Sequence, residues 1–143
     1  MNDITEAIRQ LVNQYPGLGA GEYIAFGTMG QESGMAMYPG GGAAIDSQRK
    51  SVTGRVRQIC RYPLLILSRA GGLAEDAKAA AKEQLDGLCR WLERLDTYPD
   101  LDGDRRLLGF HIERPAYLHT RGEDRVETWA VEITARYEYT FEK

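Results

Sequence analysis

Cysteine, histidine and long apolar runs are what this 143-residue sequence has least of. Its two cysteines, Cys60 and Cys89, and two histidines, His111 and His119, form no close pair. That leaves too few soft ligands for a zinc or iron–sulfur site. A disulfide framework is not needed either, since a chain of this size buries roughly 68–70% of its unfolded surface on folding. Both cysteines sit in apolar settings and are expected to be buried, unpaired and inert. No stretch approaches the roughly 20 apolar residues of a membrane span. Met1 leads directly into a polar, helix-like segment without an apolar signal core, so a cytoplasm-like compartment is expected.

Recognisable chemistry is equally scarce. Gly17-Leu18-Gly19-Ala20-Gly21 follows a helical pattern and precedes a strand, the reverse of the order that aims helix amides at a phosphate. Gly40-Gly41-Gly42 lacks the Gly-Lys-Ser/Thr ending of a P-loop. Asp100-Leu101-Asp102-Gly103-Asp104 has calcium-loop spacing at its start, but Arg105 stands where glycine is required and His111 where the bidentate glutamate belongs. His111 and His119 lie more than about 25 Å apart along an extended chain and cannot share one ion. No serine occupies a nucleophile elbow and no carboxylates form an acid/base pair. No catalytic, cofactor-binding or metal-ligating residue is therefore predicted.

What is present is a patterned globular chain, 43% hydrophobic and 27% charged, as expected for one domain over residues 1–143. Asp3-Ile4-Thr5-Glu6 resembles a capping box, and Ile4, Ile8, Leu11, Val12 and Tyr15 recur at helical spacing. Glu22 to Gly27 reads as a strand. Met35, Met37 and Ala43 to Ile45 flank the glycine-rich run 38–42 and read as a loop or broken strand. Val52 to Ser68 is extended, and its continuous apolar end, Tyr62 to Leu67, predicts a strand covered on both faces, with a bulge at Pro63. A long helix follows, opened by Glu75 and Asp76 and closed by Arg90 and Arg94, with Asp86 and Arg90 as an outer pair. Its buried stripe is Leu73, Ala77, Ala81, Leu85, Leu88, Leu92 and Leu95. Leu107–Leu118 and Arg125–Phe141 form a closing hairpin through residues 119–124. In its second arm Trp129, Val131, Ile133, Ala135, Tyr137, Tyr139 and Phe141 share one face. The expected fold is α+β, order α-β-β-β-α-β-β, a mixed or antiparallel sheet with two helices packed on it.

Charge is unevenly spread. The net charge is −3, yet residues 49–69 hold six basic groups (Arg49, Lys50, Arg55, Arg57, Arg61, Arg69) and no acidic one. Overall acidity and the lack of a reader motif argue against nucleic-acid recognition by this segment.

This order, with Arg61-Tyr62-Pro63-Leu64-Leu65-Ile66-Leu67 before the single long helix and Arg136-Tyr137-Glu138-Tyr139-Thr140-Phe141 at the close, resembles the tail terminator proteins of long-tailed phages and prophages, some of them labelled minor capsid proteins. The resemblance covers nearly the whole chain and rests on element order and length. It implies a subunit made in the bacterial host cytoplasm that assembles with itself into a ring, as a hexamer, at the head-proximal end of the virion tail. There it stops the tail tube protein and meets the head-completion protein, without substrate, cofactor, membrane or sequence-specific nucleic acid. A heterologous ring needs two different complementary patches. Arg49, Lys50, Arg55 and Arg57 supply one candidate, and Asp100, Asp102 and Asp104 the other. Segment 38–54, glycine-rich and then basic, is expected to be mobile in the free subunit and ordered on assembly. The competing reading is a small intracellular α+β ligand-binding or enzymatic domain, with a pocket between helix and sheet lined by Tyr23, Tyr62, Tyr98, Tyr117 and Trp129.

Overall fold

In a computed structural model, which describes residues 4–18, 23–26, 34–39, 44–70, 75–101, 103–121 and 127–142, two strands of 16 residues dominate. These are β4 (Arg55–Ala70) and β6 (Glu127–Glu142). They run antiparallel in unbroken register from Arg55↔Glu142 to Ala70↔Glu127. β5 (Arg105–Arg121) lies along the other side of β6. The free side of β4 is divided between β3 (Ala44–Lys50), from Lys50↔Val56 to Ala44↔Arg61, and β2 (Gly34–Pro39), from Pro39↔Leu64 to Gly34↔Arg69. β1 (Ile24–Phe26) adds to β2 in parallel. The sheet is thus mixed, in the order β1-β2-β4-β6-β5 with β3 beside β4.

The element order is the expected one, with the broken strand resolved into β2 and β3. Within segment 38–54, Ala44–Lys50 is a strand, paired with β4 at every residue but Asp46, because the edge of β4 offers it backbone partners, and residues 51–54 form the turn that follows. Gly40, Gly41 and Gly42, Asp3, Leu73, Asp102 and the hairpin turn 122–126 lie outside the described residues, as does the side chain of Ala77. Pro63 is at no bulge, since it pairs regularly with Thr134. It falls instead where the neighbour of β4 changes from β3 to β2, a gap in the ladder that tolerates a residue lacking an N–H.

Alternation sets the layers. Val56, Cys60, Tyr62, Leu64 and Ile66 of β4 share a face with Val131, Ile133, Ala135 and Tyr137 of β6, and all are buried. Both helices pack on that face. α1 (Ile4–Val12) buries Ala7, Ile8, Leu11 and Val12, and α2 (Glu75–Glu93) buries Ala81, Leu85, Leu88 and Leu92 in the same cluster. The Tyr62–Leu67 run is therefore covered by helices on one face only. Leu65 and Leu67 point to the other face and are half-buried beside small neighbours, Ala36 and Ala130 sharing a transverse row with Leu67. Run continuity thus marks a back face smoothed by small residues, not a second helical layer.

Side chains fasten the helices. The Thr5 and Tyr62 hydroxyls bond at 2.6 Å. Asn13 acts as a one-residue strand partner: its Oδ1 accepts from the Ile24 N–H at 2.6 Å, and its Nδ2 donates to the Ile24 carbonyl at 3.0 Å. Asp86 turns from Arg90 to Lys82, at 3.0 Å, and accepts the Ala116 N–H at 3.2 Å. That bond satisfies a donor freed by the β5 irregularity between Arg114 and Tyr117.

Tyr15 ties the helices together, its ring 5.6 Å from that of Trp91. Its hydroxyl lies so close to Gly87 that a Cβ there would overlap it. Glycine inside a helix ordinarily costs about 1 kcal/mol against alanine, so Gly87 is retained for the space. Gly87→Ala is expected to lower stability by about 1 kcal/mol net, overpacking outweighing propensity. In a Tyr15→Phe background the same change is expected to become neutral or stabilising. Chemical denaturation of the four proteins checks this, and equal stabilisation in both backgrounds would contradict it.

Candidate functional site

The β3–β4 turn is closed by its own hydrogen bonds. Ser51 N–H donates to the Arg55 carbonyl at 2.8 Å, Gly54 N–H to the Ser51 carbonyl at 3.1 Å, and Arg55 N–H to Ser51 Oγ at 3.1 Å. The Ser51 and Thr53 hydroxyls lie 2.8 Å apart. Gly54 takes φ 90°, a left-handed conformation that favours glycine. The turn presents Val52 fully to solvent, with Arg49, Lys50 and Arg55 exposed around it. Those three cations enter no ion pair among the described residues.

Arg57 differs. Its Nε and Nη2 donate to Glu138 Oε2 at 2.9 and 2.8 Å, and Arg106 Nη2 approaches the same oxygen at 3.4 Å. Glu138 has only 16% of its side chain exposed. The hydrogen bond from Arg57, reinforced by the charges of Arg57 and Arg106, holds its carboxyl below the usual glutamate range against the opposing effect of burial. A second acid, Asp46, lies at the irregularity in β3 and pairs with Arg61 at 3.0 Å and Arg136 at 3.5 Å. The basic segment is thus two populations, one neutralised within the chain and one not.

The acidic candidates lie across the sheet at the same end. Arg49 is opposite Arg57, Arg57 is opposite Thr140, and Thr140 N–H donates to the Asp104 carbonyl at 3.1 Å. One transverse row therefore runs from Arg49 at the β3 edge to Asp104 at the β5 edge. Asp100 bridges to Arg106 just outside β5, and Leu101 beneath it is buried. Gly103, at φ 63°, reverses the chain between the acids. Arg105, which follows them, stacks on Tyr139 with its guanidinium carbon 4.5 Å from the ring centre. The side chains of Asp100 and Asp104 are exposed.

The aromatic residues considered for a pocket are not brought together. Tyr62 is in the core, Tyr98 packs on Phe110 at 6.0 Å, and Trp129 lies on the helix-covered face. Tyr117 is on the opposite face, donating to Glu132 at 2.8 Å under the Arg114 guanidinium. Tyr23 alone of the five borders the open recess of ≈ 970 Å³ between α1 and β1. Among the described residues no group of three or more His, Cys, Asp or Glu could hold a metal ion. Cys60 and Cys89 are buried and unpaired, and burial pushes the Cys89 thiol up to about 12.

The Glu138 node is what sequence reading missed. Its partners are 81 and 32 residues away, and only its place on the polar face of β6 hinted at a surface role.

No family model and no curated protein matches the chain. Among solved structures it is similar to a chain of the virion of a native gene transfer agent particle, at 14% identity and a TM-score of 0.60, over 94% of this chain and 97% of that one. At that identity the likeness concerns the fold.

Because the Glu138 carboxyl titrates below its ordinary value of 4.5 in the folded state, its contribution to stability is present in full above that value. It is lost as pH falls through the lowered one. The wild type is expected to exceed Glu138→Gln in stability at neutral pH, by no more than about 1 kcal/mol for a partly exposed network. The gap should close as pH falls below the ordinary glutamate range. Denaturation midpoints of both proteins across that range check this; a gap that widens on acidification would contradict it.

Proposed function

We propose that this chain is a structural subunit of a tailed, virion-like particle and acts as its tail terminator. A ring of copies, six in number, closes the head-proximal end of the tail tube and offers the opposite surface to a head-completion protein. The observation that carries this reading is the fold shared over almost the full length of both chains with a chain of the gene transfer agent virion. The element order, with one long helix between a four-strand section and a closing hairpin, agrees with it. So does a surface whose unneutralised charges of opposite sign sit on opposite edges of the sheet, as a heterologous ring requires.

In this reading the work is done by surfaces. The protein is made in the bacterial host cytoplasm and ends in the virion, with the tube and head-completion proteins as partners. It takes no substrate, cofactor or membrane and reads no nucleic-acid sequence.

The test is made on particles from a host that carries the gene. Gold-labelled antibody against the chain is expected at the junction of tail and head, and deletion of the gene is expected to yield heads without tails and tubes of uncontrolled length. Absence of the chain from purified particles, or normal tails joined to heads in the deletion strain, would overturn the reading.

A further inference from the structure

We propose that neighbouring copies of this chain join head to tail, the β3–β4 turn of one copy, with Arg49, Lys50, Val52 and Arg55, seating on the Asp100–Asp104 edge of the next. The inference rests on the ring reading and names the surfaces that would make the ring.

The turn has the properties of a docking element. Its hydrogen bonds from Ser51 fix its shape before any contact forms, so little ordering entropy is lost on binding. It carries three cations with no acid of the same chain bonded to them. Arg49 also stands directly across from Arg57, a like-charge juxtaposition that a sheet disfavours unless an acid lies near. Glu138 answers Arg57, with Arg106 sharing it, and Asp46 is held by Arg61 and Arg136, so neither acid is bonded to Arg49. Val52, a β-branched apolar residue, is fully exposed at the tip; a turn in water gains nothing from it, whereas a contact that buries it does.

The opposite edge complements this. Asp100 and Asp104 are exposed and bonded to no cation among the described residues. The arginines that follow them are held by Tyr139 and Glu138. Leu108, at the first irregularity of β5, is 37% exposed and would give Val52 an apolar contact.

Placement decides the symmetry. The patches share one end of the sheet but lie on opposite edges, β4 and β6 between them, about 15 Å apart at three inter-strand spacings. Turn against turn, or edge against edge, brings like charges together, so neither patch is self-complementary. Only turn against edge satisfies both. Made once between two copies, it leaves a free edge on the first and a free turn on the second; made twice about a twofold axis, it would stop at a dimer. The single contact is the heterologous one, which propagates until it closes, and it is the one the ring reading requires. Exposed charges of this kind are screened over about 8 Å at physiological ionic strength, so association should weaken as salt rises.

The experiment uses two charge-reversed proteins, one with Arg49→Glu, Lys50→Glu and Arg55→Glu, the other with Asp100→Lys and Asp104→Lys. All five positions are exposed, and circular dichroism with thermal melting establishes that both variants fold. Mass distributions are measured by sedimentation in low and high salt. The wild type is expected to self-associate in low salt, and each variant alone roughly tenfold or more weakly. An equimolar mixture is expected to recover association, because the acidic turn of one protein meets the basic edge of the other. A wild type that stays monomeric at every concentration in low salt, or whose mass stops at a dimer, would overturn the proposal. So would variants that associate like the wild type, or a mixture no better than its parts. Recovery in the mixture together with absence of the chain from particles would leave this junction standing and remove the tail-terminator reading. Gold label at the tail–head junction with no recovery in the mixture would do the opposite.

Discussion

Sixteen consecutive antiparallel pairs between β4 and β6, with no bulge along their length, are the constraint on which everything else depends. A two-residue slip would preserve the faces yet unseat Cys60 from Tyr137 and Leu64 from Ile133, and a one-residue slip would turn the whole buried set to solvent. The register is therefore fixed by the alternation of both strands together. Every other strand is placed by reference to this pair: β5 along β6, and β2 and β3 in succession along β4.

Because both helices lie on one face of this ladder, the fold has an inside and a second sheet face, on which no described helix packs, with distinct regions. Its middle is apolar and built of Leu65, Leu67 and small neighbours. Towards the β3–β4 turn it becomes a lattice of ion pairs around Glu138 and Asp46. Individually such pairs add little. Their consequence is to sort the cations of segment 49–69 into those paired within the chain, such as Arg57 and Arg61, and those, Arg49, Lys50 and Arg55, left unpaired among the described residues. The length of β4 carries the unpaired ones to the end of the sheet, where the ladder sets them level with Asp104.

Local periodicity made much of this legible. The alternation from Trp129 to Phe141 identified the buried face of β6, and the 3.6-residue stripe of α2 from Ala81 to Leu92 was read residue by residue. Other features depended on partners that a single strand does not encode. The stretch around Ala43 to Ile45 read as a loop or broken strand because of the glycine-rich run before it; Ala44–Lys50 is a strand because β4 extends past the end of β2 and leaves an edge to pair. Pro63 looked like a bulge because its neighbours across the sheet were not visible. For the candidate site, both patches were legible as charge clusters, but that Arg57 belongs to Glu138 and not to the outer patch required the register.

If the β4–β6 ladder organises the molecule along its whole length, the charged end of the sheet is as firmly built as the end beneath the helices. Native-state hydrogen exchange on the free protein measures this directly. The account predicts that ladder amides of β4 and β6 near Val56 and Phe141 are protected nearly as strongly as those near Ile66 and Val131. Their opening free energies should approach that of global unfolding. Protection confined to the helix-covered half, with rapid exchange from 55 to 61 and from 136 to 142, would contradict it and would leave the row from Arg49 to Asp104 without a frame.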